Sequence, residues 1–208
     1  MRIAAVLGAA LGLAGCNMVT STTPMFADKD IRGQAQPRAG VWMSEHQTCD
    51  FDAGAPIDTW PKCADGWIVA PGAVIGPREQ GAPRAAWVSN PTVFAAGDPP
   101  VMQIHIAGAT EPIPPYLYAG IRPLKLDAEG RIVEFKSWPA LCGPPPPPDP
   151  NSKEIGGLTK EPIEGMTLDQ SHQSCIATTP DLVRLSVRKS EAWSGDGDRS
   201  RWVRDGDR

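Results

Sequence analysis

Beyond residue 39 the chain is built from short runs in which apolar and polar positions alternate. Val101-Met102-Gln103-Ile104-His105-Ile106 is the clearest of them. Met102, Ile104 and Ile106 share one face and Val101, Gln103 and His105 the other, the period of a strand with one buried side. Gly40-Val41-Trp42-Met43 predicts the first strand of a folded region. Gly66-Trp67-Ile68-Val69-Ala70, closed by Pro71-Gly72, and Ala85-Ala86-Trp87-Val88-Ser89, ending at Asn90-Pro91, read the same way. Tyr118 to Trp138 predicts a hairpin, because two strand-like runs flank Asp127-Ala128-Glu129-Gly130. Asp at the first turn position and Gly at the last suit a type I turn. In the second run Val133 and Phe135 are expected to face a core, and Arg201-Trp202-Val203-Arg204 predicts a final strand.

One segment is contested. Thr178 or Thr179, then Pro180 and Asp181, combine a cap, a first-turn proline and an acid near the positive end of a helix dipole. Val183 to Arg188 alternates as a strand would, but the start signal is the more specific and predicts a helix over 178–193. The fold expected is therefore α+β: a mainly antiparallel β-sheet with one C-terminal helix, stapled by two disulfides.

The first residues follow another pattern. Arg2 precedes an uncharged run, Ile3 to Leu13, of about eleven residues, where a membrane-spanning helix needs about 20. A positive start, a short apolar stretch and small residues before a cleavage point make a secretory signal over residues 1–15. Leu13-Ala14-Gly15-Cys16 resembles the lipobox of bacterial lipoproteins at all four positions. That resemblance implies cleavage before Cys16, a diacylglyceryl thioether on its sulfur and acylation of the new amino terminus. Several acyl chains anchor far better than one. Asn17 follows, where an aspartate in such proteins implies retention in the inner membrane. The resemblance thus implies an outer-membrane anchor facing the periplasm, with membrane lipid as the first partner. Residues 16–38, rich in Thr, Ser, Pro and Asp without an apolar period, are expected to be a lipidated flexible tether. Residues 39–208 are expected to form a single domain.

Charge and cysteine content sharpen this. The 20 Lys and Arg stand against 24 Asp and Glu, and no basic stripe with interleaved aromatics occurs, which argues against nucleic acid as a partner. Pro (23) and Gly (21) make the chain rich in loops, while seven Trp and the regular strand runs argue against wholesale disorder. With Cys16 assigned, Cys49, Cys63, Cys142 and Cys175 remain. An even number in an oxidising compartment reads as disulfides. Three connectivities are open; Cys49–Cys63 and Cys142–Cys175 are favoured because each brackets a loop-like segment, closing loops worth roughly 3 kcal/mol or more apiece. Zinc would need Cys-x-x-Cys or a paired His, and His46 three residues before Cys49 is not that pattern, so no metal is expected.

Catalytic patterns are sparse. No phosphate loop, dinucleotide motif, His-Glu-x-x-His or Gly-x-Ser-x-Gly elbow occurs, and no cofactor is expected. Ser186-Val-Arg-Lys189 formally matches Ser-x-x-Lys without its companion boxes. Asp50, Asp52, Asp58 and Asp65 supply carboxylates that a glycosidase would need facing a cleft, although turn-forming Asp residues are ordinary in such a loop. His105 reads as a surface strand residue, and His46 and His172 lie near no nucleophile pattern. Of the seven tryptophans most read as core, with Trp60 the expected exposed one. Residues 144–150, Pro-Pro-Pro-Pro-Pro-Asp-Pro, read as a stiff polyproline loop based on the Cys142–Cys175 staple. Cys49-Asp50-Phe51-Asp52 with Trp60-Pro61-x-Cys63-Ala64 resembles uncharacterised proteobacterial envelope lipoproteins. The expectation is a membrane-anchored, non-catalytic envelope lipoprotein that binds another envelope protein or peptidoglycan. A periplasmic cell-wall or glycan-acting enzyme using carboxylates in 50–65 is the alternative.

Overall fold

The computed structural model describes residues 17–45, 50–77, 82–109, 114–146, 157–169 and 174–206. Eight strands close into an antiparallel barrel: β2 (Gly40–Ser44), β3 (Gly66–Ala70), β4 (Ala73–Pro77), β5 (Trp87–Ala95), β6 (Val101–His105), β7 (Tyr116–Leu126), β8 (Ile132–Pro139) and β11 (Asp198–Arg204). From β2 to β8 each strand pairs with the next. β11 then enters between β8 and β2 and closes the ring. Short turns permit this meander: Ala70 pairs with Ala73 across Pro71-Gly72, where Gly72 supplies the left-handed residue at φ +71°. The expected β7–β8 turn is present, with the Gly130 N–H donating to the Asp127 carbonyl at 3.0 Å.

Three further strands lie outside the barrel. β1 (Met18–Ser21) pairs antiparallel with the start of β7 and parallel with β10 (Ser174–Ile176), which pairs in turn with β9 (Thr167–Asp169). The one α-helix among the described residues, α1 (Pro180–Trp193), follows β10 and precedes β11. Its N-cap is Thr179, whose hydroxyl accepts from the Leu182 N–H at 3.3 Å. The helix reading of 178–193 is the correct one. Val183, Ser186, Val187 and Ser190 are buried along one side of it, the i, i+3, i+4, i+7 spacing of a helix; a strand would turn Ser186 to the face opposite Val183 and Val187.

An eight-stranded barrel is just wide enough for side chains to fill or for one small ligand. Here side chains fill it. Trp42 stacks on Trp67 with ring centres 5.6 Å apart and lies 5.2 Å from Phe135, and Met102, Ile104 and Ile121 complete the layer. Outside the wall, two apolar layers cover it. Val19, Phe26, Tyr118 and Trp138 pack under α1, and Val41, Ile57 and Ile68 lie on another side with Trp60 and Trp87 against them.

Several expectations need correction. Residues 17–38 are not a slack tether: β1 is buried throughout, Phe26 is buried, and the Arg38 N–H donates to the Ile132 carbonyl at 2.9 Å. In β8 Ile132 and Phe135 face the core, not Val133 and Phe135, because a register shift opposite Lys125 and Leu126 leaves Val133 as an extra, unpaired residue. Trp60 is half-buried, lying over Gly66 and 4.5 Å from Phe51. Of the two disulfides expected, Cys142–Cys175 is the one seen among the described residues, with Cα atoms 5.7 Å apart. Cys63 is not a free thiol, and Cys49 lies outside the described residues.

Candidate functional site

The residue chemistry that the sequence points to converges on the start of the described chain. Cys16 lies outside the described residues, but Asn17 is only 2% exposed and sits at φ +98°, in the left-handed region that Asn tolerates better than most residues. Its side chain bridges two strangers. The Asn17 amide donates to the Gly143 carbonyl at 3.0 Å and its side-chain oxygen accepts from the Thr159 N–H at 3.1 Å. Its backbone carbonyl accepts from the Cys142 N–H at 2.8 Å. Met18 then bridges to Leu141, and the Thr20 hydroxyl donates to the Cys175 carbonyl at 3.1 Å.

Farther along, Gln103 holds the same segment to the barrel wall. Its side-chain oxygen accepts from the Met25 and Phe26 N–H groups at 2.7 and 2.9 Å, and its amide donates to the Phe26 carbonyl at 2.9 Å. A buried Gln satisfied three ways is a receptor for an incoming chain. Beside it the Ser21 hydroxyl and the Tyr118 phenol are 2.5 Å apart. Burial pushes the Tyr118 phenol up to about 12, the Ser21 contact opposing that rise.

The Cys142–Cys175 disulfide and α1 back this junction. The Ser186 hydroxyl donates to the Leu141 carbonyl and the Ser190 hydroxyl accepts from the Leu141 N–H, both at 2.8 Å. Two serines one helical turn apart therefore satisfy a strand residue that has left the sheet. The Trp138 indole N–H donates to the Val187 carbonyl at 2.9 Å, and its ring covers Gly120, where a Cβ would lie 2.3 Å from the indole. At the far end of α1, Arg122 grips Glu191 through two contacts of 2.8 Å, and that hydrogen bonding holds the Glu191 carboxyl below its ordinary range.

The other candidates are scattered. Ser186 is fully buried and donates to a carbonyl, while Lys189 is exposed, so this pair makes no nucleophile and base. Asp50, Asp52 and Asp58 are exposed, and Asp52 accepts from the Gly54 N–H at 2.8 Å within its own turn. Asp65 caps a short turn in the left-handed region. His105 is half-buried, its ring centre 4.9 Å from that of Tyr116; His46 and His172 lie outside the described residues. Residues 144–146 of the proline run are described and 147–150 are not. Among the described residues no three His, Cys, Asp or Glu side chains group as metal ligands. No helix there is long and apolar enough to cross a membrane. Asn17 and Gln103 were the residues missed; period-two patterning marks Gln103 as outward-facing but carries no sign of what lies over it.

Fold and site together define a closed eight-stranded antiparallel barrel with a packed interior, one external helix and a disulfide-backed clamp on its N-terminal strand. No protein-family model, curated protein or solved structure matches the chain.

Proposed function

We infer that the chain is an exported lipoprotein, cleaved before Cys16 and held by acyl chains to the outer membrane, with its barrel facing the periplasm. The observation that carries this reading is the four-residue lipobox Leu13-Ala14-Gly15-Cys16 behind a short apolar stretch. A buried disulfide in a small loop-rich fold suits the same oxidising compartment. Cys49–Cys63 is the second disulfide in this reading. The barrel acts as a binding or structural module on another envelope protein or on peptidoglycan, not as an enzyme. Support comes from an interior occupied by Trp42, Trp67 and Phe135 and from Asp residues exposed or spent on turns.

Growth with an alkyne analogue of palmitate, followed by mass analysis of the mature N-terminus, tests the anchor. Label on the native chain and none on a Cys16→Ser variant is the expected result; label that survives the substitution refutes it. Crosslinking in intact envelopes, with recovery of the barrel on an envelope protein or on peptidoglycan, tests the binding role. Cleavage of peptidoglycan by the purified protein, abolished by Asp50→Asn or Asp52→Asn, would overturn it.

A further inference from the structure

No further inference is drawn: the strongest candidate, the buried Asn90 amide on the inward face of β5, opposite Val74 and without a hydrogen-bond partner among the described residues, carries no ligand site, because Val74, Thr92 and Ile104 beside it are themselves buried and nothing in the structure shows a space there or what would fill it.

Discussion

Replacing Asn17 distinguishes a clamped N-terminal strand from a tether. In an Asn17→Gly variant the φ of +98° costs nothing, because glycine adopts it freely. What is lost is the acceptor for the Thr159 N–H and the donor for the Gly143 carbonyl, both in buried residues. An orphaned buried group costs about 1–3 kcal/mol, so the two together place the loss at roughly 2–6 kcal/mol. Asn17→Ala loses the same bonds and adds about 1 kcal/mol or more for a Cβ in the left-handed region. The assay is urea unfolding of protein carrying Cys16→Ser, followed by the fluorescence of Trp42, Trp67 and Trp138, which are buried. A residue in a slack segment would change stability by less than about 0.5 kcal/mol. If Gly and Ala both fall within that margin, the clamp does not exist.

Asn17→Asp extends the argument into pH. The side-chain oxygen facing the Thr159 N–H survives, but an oxygen replaces the donor 3.0 Å from the Gly143 carbonyl. A buried carboxylate pointed at a carbonyl disfavours its charged form, so the folded state holds its proton more tightly than the unfolded chain. Stability is then best below the unfolded carboxyl range and falls as pH rises through the higher folded value. A midpoint in urea that improves on acidification, relative to Asn17→Gly, is the expected signature; an unchanged difference refutes it. Under the proposed lipoprotein reading the same substitution is expected to move the protein to the inner membrane, so localisation of this variant is read alongside its stability.

Ser190→Ala leaves the Leu141 N–H unpaired beneath α1 and is expected to cost about 1–3 kcal/mol, with little further loss on adding Ser186→Ala if the two serines act on Leu141 as a unit. Gly120→Ala puts a methyl 2.3 Å from the rigid Trp138 indole and is expected to cost about 1–3 kcal/mol as overpacking, with a changed near-ultraviolet circular dichroism band. Tyr118 ionises at about 12; because its folded value lies above the unfolded one, stability falls as pH climbs from the ordinary tyrosine range toward it, and absorbance at the phenolate band should rise together with unfolding. Glu191→Gln removes a carboxyl held low by Arg122, whose side chain is 45% exposed; its contribution, present above the unfolded value and lost as pH falls, is expected to stay under about 1 kcal/mol in urea titrations.

Much of the barrel was legible from short runs bounded by turn residues. β6 and the start of β8 alternate, β2 and β3 are short apolar runs entered at Gly40 and Gly66, β7 and β8 flank Asp127 to Gly130, and the helix carries its cap. β5 was cut short at Asn90-Pro91, since proline in a strand argues against continuation. Pro91 is exposed and pairs with Ala73 while the Thr92 N–H reaches the Gly72 carbonyl, so the ladder steps past it. β1 was invisible for a different reason. Met18-Val19-Thr20-Ser21 is too short and too polar to announce a strand, and its burial depends on partners more than 90 residues away: Tyr116 and Leu117 on one side, Ser174 to Ile176 on the other. Gln103, likewise, looked like a residue for water and instead satisfies a backbone that a local window cannot supply.

The disulfide gains its meaning from that arrangement. Cys142 and Cys175 are 33 residues apart, a loop worth about 4 kcal/mol in the chain-entropy model. The bond also joins the two segments that flank β1, since Cys142 donates its N–H to Asn17 and Cys175 lies opposite Val19 in β10. Breaking it frees one wall of the slot that holds the N-terminal strand, while the barrel ladder from β2 to β8 and β11 contains neither cysteine. Cys142→Ala with Cys175→Ala is therefore expected to raise hydrogen exchange at 18–21 and 174–176 before it does so at Val101–His105 in β6. Uniform acceleration across β6 and β1 would mean that the clamp and the barrel unfold as one unit, and that the disulfide stabilises the whole domain and not the slot.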